Sequence, residues 1–131
     1  DRGQVASYGT GCGVVGEIVS RIERKGLKIV AMQMRVPDRP LAQAHYDEHS
    51  DKPFFGELVD FLTSGPVVAM VVEGPDDNTF SLMRTMIGAT KVDDAAPGSI
   101  RGDLATITNE NLVHGSDSHE SSAREIGLWF A

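Results

Sequence analysis

The sequence has 131 residues, 40% of them hydrophobic, which suffices for one buried core and is short for two ordinary domains, so residues 1–131 are read as a single domain. Nineteen acidic against 12 basic side chains give a net charge of −7 and a pI near 4.9, a field that repels nucleic-acid backbones and anionic lipid surfaces. No apolar run approaches the roughly 18 residues of a membrane-spanning helix, and the lone Cys12 can form no internal disulfide, so a cytoplasmic, non-membrane protein is expected.

In chain order, Val14, Val15, Ile18, Val19 and Ile22 share one face of a helix expected over residues 14–25, and Gly26 follows where a left-handed C-cap is common. Before it, residues 1–8 lack the apolar run of a buried first strand. Residues 27–35 read as a strand, and Pro37, Asp38 and Pro40 break it and open a short helix over 41–48. Phe54, Phe55, Leu58, Val59, Phe61 and Leu62 have helical spacing, stopped by Ser64, Gly65 and Pro66. The Val-rich run over 66–72 predicts a strand buried on both faces in the middle of a sheet. Phe80, Leu82, Met83, Met86 and Ile87 form a further helical stripe closed by Gly88. A long loop with Pro97 then leads to His114, and a last helix is expected over 118–126 with Ser118 as N-cap. Alternating helices and strands imply a layered α/β sandwich.

Two places offer chemistry. Gly11-Cys12-Gly13-Val14-Val15-Gly16 fits G-x-G-x-x-G and opens a helix, but without a buried strand before it a plain turn is the better reading, and Cys12 reads as an inert thiol. The second is Asn111-Leu112-Val113-His114-Gly115-Ser116-Asp117-Ser118, a histidine among small polar residues. A neutral imidazole has an ordinary pKa of about 6.5 and offers a nucleophilic lone pair near neutral pH that can carry a phosphoryl group. On the residues alone, a histidine held by structural hydrogen bonds in a polar loop remains the simpler alternative.

Taken together, His45-Tyr46, Lys52-Pro53-Phe54-Phe55, Ser64-Gly65-Pro66-Val67-Val68-Ala69-Met70, Gly88-Ala89-Thr90, Pro97-Gly98-Ser99-Ile100-Arg101-Gly102-Asp103 and the His114 segment resemble the nucleoside diphosphate kinase family. The resemblance runs from about Gly13 to Phe130, with the H-G-S-D-S and I-R-G-D segments its most specific parts. It implies an α/β (α+β) fold of ferredoxin-like type, a βαββαβ sandwich whose antiparallel sheet is covered by helices. It also implies a ping-pong transfer of the γ-phosphate from a nucleoside triphosphate to a nucleoside diphosphate through a phosphohistidine, with Mg2+ carried on the nucleotide. His114 falls on the phosphorylated position, Ser116 and Glu125 on those that orient it, and Tyr46 beside it. Arg84, Thr90, Arg101 and Asn111 fall on phosphate-binding positions and Phe54 on the base-stacking one. A homo-oligomer, tetramer or hexamer, is implied as well.

Physical chemistry suits these roles. Phosphoryl transfer depends on positioning and neutralised oxygen charge, for which planar Arg forks and a metal ion serve. An aromatic ring stacks on any base without reading its edges.

The sequence departs from the family at its start. Where the family has K-P-D-G-V-x-R-G, this chain has Ala6-Ser7-Tyr8-Gly9-Thr10-Gly11-Cys12-Gly13, so only Gly9 and Gly13 agree and Ala6 replaces a phosphate-contacting lysine. Losing one such contact costs on the order of 10²–10³ in rate, so a weakened enzyme is expected, with a non-catalytic nucleotide- or protein-binding relative as the alternative. A turn at Pro75-Asp76-Asp77-Asn78, about two residues longer than usual, is expected to form a surface loop, and the end at Ala131 to alter the oligomer.

Overall fold

A computed structural model describes the backbone of residues 3–9 and, with their side chains, residues 14–76, 78–105, 113–116 and 118–130. Strand β1 (Gly3–Gly9) precedes helix α1 (Val15–Arg24), whose buried Ile18 and Ile22 come from the predicted apolar stripe. Gly26, with φ of 88°, turns the chain into β2 (Lys28–Arg35), because a left-handed φ carries no penalty without a Cβ. Helix α2 (Arg39–His45) starts where the Asp38 carboxylate accepts the Leu41 N–H and Pro40 occupies the first turn. It stops at His45, short of the expected 48, and residues Asp47–His49 form a 3-10 turn.

Helix α3 (Phe55–Leu62) and strand β3 (Val67–Glu73) follow as expected. In β3, Val68, Met70 and Val72 enter one apolar cluster with Ile18, Ile22, Met83 and Ile87. Val67 and Ala69 enter a second cluster on the opposite face with Ala42, Val59 and Trp129. Helices therefore cover both faces, which is why this strand is apolar at every position instead of alternating. After β3, Asp76 accepts hydrogen bonds from the Asn78 N–H and the Thr79 hydroxyl, making the expected exposed turn, of which Asp77 lies outside the described residues.

Helix α4 (Thr79–Ile87) ends at Gly88, whose φ of 98° and close approach to the Ser99 side chain leave no room for a Cβ. The stretch expected to be one long loop holds a 3-10 turn (Val92–Asp94), helix α5 (Ile100–Leu104) and strand β4 (Val113–Gly115). Five and three residues are too few to show a period, so neither element was visible as a pattern. Helix α6 (His119–Trp129) is capped by Ser118 as predicted and runs three residues past 126 because Trp129 is drawn into the core.

The sheet order is β2-β3-β1-β4 with every neighbouring pair antiparallel, the arrangement of a ferredoxin-like βαββαβ sandwich. Strand β1, which the sequence argued against, lies inside the sheet. Its seven residues pair with β3 and three of them with β4, so backbone ladders on both edges supply what its composition does not.

Candidate active site

Strand β4 alternates about the sheet, with Val113 in the α1–α4 core and His114 therefore facing the α2–α6 layer. Its register sets His114 opposite Ser7 and Gly115 opposite Ala6. The partner for His114 comes from α6, which buries Ser122, Glu125 and Trp129 along one face at helical spacing.

His114 Nε2 lies 3.1 and 3.0 Å from the two Glu125 carboxylate oxygens, and the Ser116 hydroxyl donates to Glu125 Oε1 at 2.6 Å. Burial pushes the Glu125 carboxyl upward, yet the bond and charge of His114, the Ser116 bond and His45 outweigh it and hold the group below its ordinary value. An ionised carboxylate only accepts, so the proton of neutral His114 sits on Nε2 and its lone pair on Nδ1. The His114 side chain keeps 31% of its surface exposed while Glu125 keeps 3%, so the pair is reachable only from the imidazole end. That arrangement can present an uncharged nitrogen to an electrophile and stabilise the positive ring that results.

The Trp129 indole N–H donates to His45 Nδ1 at 3.1 Å, and the His45 ring meets His114 edge-on at 4.4 Å between centroids. Burial first, and then the charge of His114, lower His45 to about 3, so it is neutral at ordinary pH. Tyr46 packs edge-on against His45 at 4.8 Å, and burial raises its hydroxyl to about 12. Arg124 donates to the Ala44 and His45 carbonyls, satisfying the end of α2 and tying it to α6.

Arg101 is buried on α5 and donates to the carbonyls of Gly88 and Val113 at 3.1 and 2.7 Å. Burial and the nearby Arg84 lower it to about 10, still protonated at neutral pH, and its Nε has no partner among the described residues. Exposed Arg84 lines an open cleft of about 380 Å³ with Gly88, Ala89 and Ser99. Thr90 is exposed just beyond Gly88, and Phe54 is 37% exposed with its ring 6.0 Å from His49. Asn111 lies outside the described residues. A larger groove of about 560 Å³, between α1 and α5, contains none of these groups.

The structure thus joins His114, Ser116 and Glu125 directly and brings Arg101 to the carbonyl of Val113, the residue before the histidine. His45, Trp129 and Arg124 belong to the same assembly, and sequence reasoning did not select them. The i, i+3, i+7 spacing of Ser122, Glu125 and Trp129 was the available signal for Trp129.

The family model described as nucleoside diphosphate kinase matches residues 9–131. A nucleoside diphosphate kinase from Exiguobacterium sibiricum is 62% identical over 118 residues, covering 90% of this chain and 84% of the relative. One from Parafrankia is 58% identical over 122 residues, covering 93% and 88%. Among solved structures, the nucleoside diphosphate kinase of Encephalitozoon cuniculi superposes with a TM-score of 0.93 at 35% identity, covering 98% of this chain and 88% of its own. The CDP complex of the Halobacterium salinarum enzyme superposes at 0.92 and 45% identity, covering 99% and 88%.

The buried neutral His45 has a consequence for stability. Its folded value near 3 lies below the ordinary 6.5, so unfolded chains take up a proton that the native state refuses, and stability present above about pH 6.5 is lost as the pH falls toward 3. Glu125 adds a loss of the same sign only below its ordinary 4.5. Between pH 6.5 and 4.5, His45 should therefore contribute a slope of up to about 1.4 kcal/mol per pH unit. His45→Asn, which keeps an acceptor for the indole, should flatten that slope in urea titrations at several pH values, and an unchanged slope would contradict the assignment.

Proposed function

The chain belongs to the nucleoside diphosphate kinase family, and from that premise we propose that it transfers the γ-phosphate of a nucleoside triphosphate to a nucleoside diphosphate by a ping-pong route through a phosphohistidine on His114. The observation that carries this reading is His114 Nε2 bound to both oxygens of buried Glu125 while about a third of the His114 side chain remains accessible. The Nδ1 lone pair attacks the γ-phosphorus, the bond to the β–γ bridging oxygen breaks, and the nucleoside diphosphate leaves with that electron pair. Nε2 keeps its proton throughout, and the Glu125 carboxylate balances the charge that the ring acquires. In the second half, a terminal oxygen of the acceptor diphosphate attacks the same phosphorus, the P–N bond breaks, and Nδ1 recovers its lone pair. Ser116 fixes the carboxylate that fixes the ring.

Arg84, Arg101, Thr90 and Asn111 bind the phosphates in this proposal, Phe54 stacks on the base, and Tyr46 stands beside the nucleophile. Arg101 fits its part because its charge is met by carbonyls and it sits beside the strand of the nucleophile. Phe54 fits because it is an exposed aromatic, able to stack without reading base edges. CDP bound to the Halobacterium relative supports nucleotides as ligands. Mg2+ enters with the nucleotide as part of the substrate. The described cluster capable of holding a metal, His45, His114 and Glu125, is nitrogen-rich and internally bonded, whereas Mg2+ requires oxygen ligands.

The same reading covers residues 1–131 as one cytoplasmic domain, consistent with a single cysteine and with no described helix long and apolar enough to cross a membrane. It further includes a homo-oligomer, tetramer or hexamer, in which copies meet along β2. That strand is a sheet edge, and Val30, Met32, Met34 and Val36 all stand exposed on it or just beyond its end, an apolar row that a monomer would leave in water. Ala6 makes the enzyme a slowed one, since its place beside Gly115, next to the nucleophile, carries no charge where the family has a lysine.

Incubation with labelled ATP and magnesium should give an acid-labile, base-stable phosphoprotein that discharges onto GDP, and His114→Ala should remove the label entirely. A wild type that binds ATP without labelling would favour a non-catalytic relative. Ala6→Lys should raise the transfer rate by at least about tenfold, within the range of one charged contact in a dry site; an unchanged rate would mean that this position does not reach the phosphate. Light scattering should give a multiple of 14.1 kDa for the wild type and a smaller species for Met32→Lys/Met34→Lys, and a wild-type monomer would refute assembly along β2.

A further inference from the structure

His45 is 2% exposed and lies at the junction of α2, β4 and α6. One ring nitrogen, Nδ1, takes the Trp129 indole N–H at 3.1 Å, and indole nitrogen is a donor only. Nδ1 therefore holds a lone pair and the ring proton sits on Nε2, which is buried and has no hydrogen-bond partner among the described residues. The His45 ring stands edge-on to His114 at 4.4 Å, and Nδ1 lies 3.9 Å from Glu125 Oε2, the oxygen that also holds His114 Nε2 at 3.0 Å. One carboxylate oxygen thus lies between two imidazoles.

We infer that Trp129 and His45 are positioning residues for the transfer reaction: the indole N–H fixes His45 as the neutral Nε2–H tautomer, and this leaves Glu125 to orient His114 alone. The inference rests on the phosphohistidine reading above. With a proton on Nδ1, His45 would turn a donor toward the indole N–H, which repels it, and toward Glu125 Oε2, which attracts it. The carboxylate would then be drawn off His114, and the nucleophile would lose both its tautomer and the counter-charge for its phosphorylated form.

The groups facing His45 are His114 from β4, Glu125 and Arg124 from α6, Tyr46 beside it and His49 from the 3-10 turn. Only the Glu125 carboxylate among them favours a proton there. Desolvation opposes it further, holding the ring near 3. Trp129→Phe keeps most of the packing and removes the one donor that blocks Nδ1. Leu at position 45 fills comparable space and has no donor to offer Glu125.

Two measurements on the full chain test this. Nitrogen-15 NMR of the histidine rings should show His45 unprotonated at Nδ1 and protonated at Nε2 from pH 8 down to 5, and an Nδ1–H tautomer or a titration near 6.5 would overturn the inference. In Trp129→Phe the same spectra should show the His45 proton moved to Nδ1, and phosphoprotein formation from Mg-ATP should fall about tenfold or more at every pH between 5 and 9, because exchange between neutral tautomers takes up no proton. In Trp129→Phe/His45→Leu the rate should recover severalfold, because no ring is left to compete for Glu125. A loss in Trp129→Phe without the tautomer change, or one that persists in the double variant, would leave Trp129 a merely structural residue and overturn the inference. Should Trp129→Phe fail to fold, the wild-type tautomer decides. No label on the wild type at any pH would overturn the phosphotransfer reading itself, whereas a labelled wild type with an equally fast Trp129→Phe would overturn this role alone.

Discussion

A carboxylate that must stay charged while 98% of its surface is withdrawn from water is the constraint around which this site is built. Burying an ionised Glu costs several kcal/mol unless its oxygens are met by donors, and breaking such a set by removing one partner leaves that cost exposed. Here Ser116 and His114 supply the donors, and each is fixed by the need to do so. Glu125 therefore orients the imidazole, and the imidazole in turn keeps Glu125 ionised. An imidazole held by a buried counter-charge needs little reorganisation when charge develops on it, and this condition for effective electrostatic stabilisation supports the nucleophilic role proposed for His114.

The fold meets that constraint by fixing α6 at several points. Ser118 caps its start, Arg124 bonds the end of α2, and Trp129 fills the core at its last turn. Strand β2 reaches the same end, where the Gln33 amide and Arg35 guanidinium donate to the Trp129 carbonyl and Arg35 lies 5.9 Å above the indole. A sheet with helices on both faces makes this possible, since the α1–α4 layer holds the larger apolar cluster and the α2–α6 layer combines a smaller one with the polar groups. Val113 and His114 are adjacent in sequence and serve these two layers separately.

Elements with enough residues to display a period were legible from the sequence. The Ile18–Ile22 stripe, the unbroken β3 run and the Ser118 cap each appear where their chemistry required. Elements defined by pairing rather than pattern were not. The backbone of β1 becomes a strand because β3 and β4 flank it, and β4 is three residues long, so His114 looked like part of a polar loop. The site divides the same way. His114, Ser116 and Glu125 were reached through a recognisable motif, whereas His45 reads as one more helix-end histidine until the indole of Trp129, 84 residues later, is seen against it.

A protein of net charge −7 that binds triphosphates must provide its positive charge locally, and the arginines divide into two kinds. Arg21 is paired with Glu17 and Asp103, and Arg39 with Asp60, so their charges are cancelled where they stand and bind the fold together. Arg101 is treated differently. Its hydrogen bonds run to the carbonyls of Gly88 and Val113, which orient the guanidinium without neutralising it, and burial first and then the charge of Arg84 lower its affinity for protons. Two like charges held close are unfavourable in the free protein and favourable once an anion lies between them. That repulsion would be relieved by an anion held between the two guanidinium groups, which is the physical support for the phosphate-binding role proposed for them.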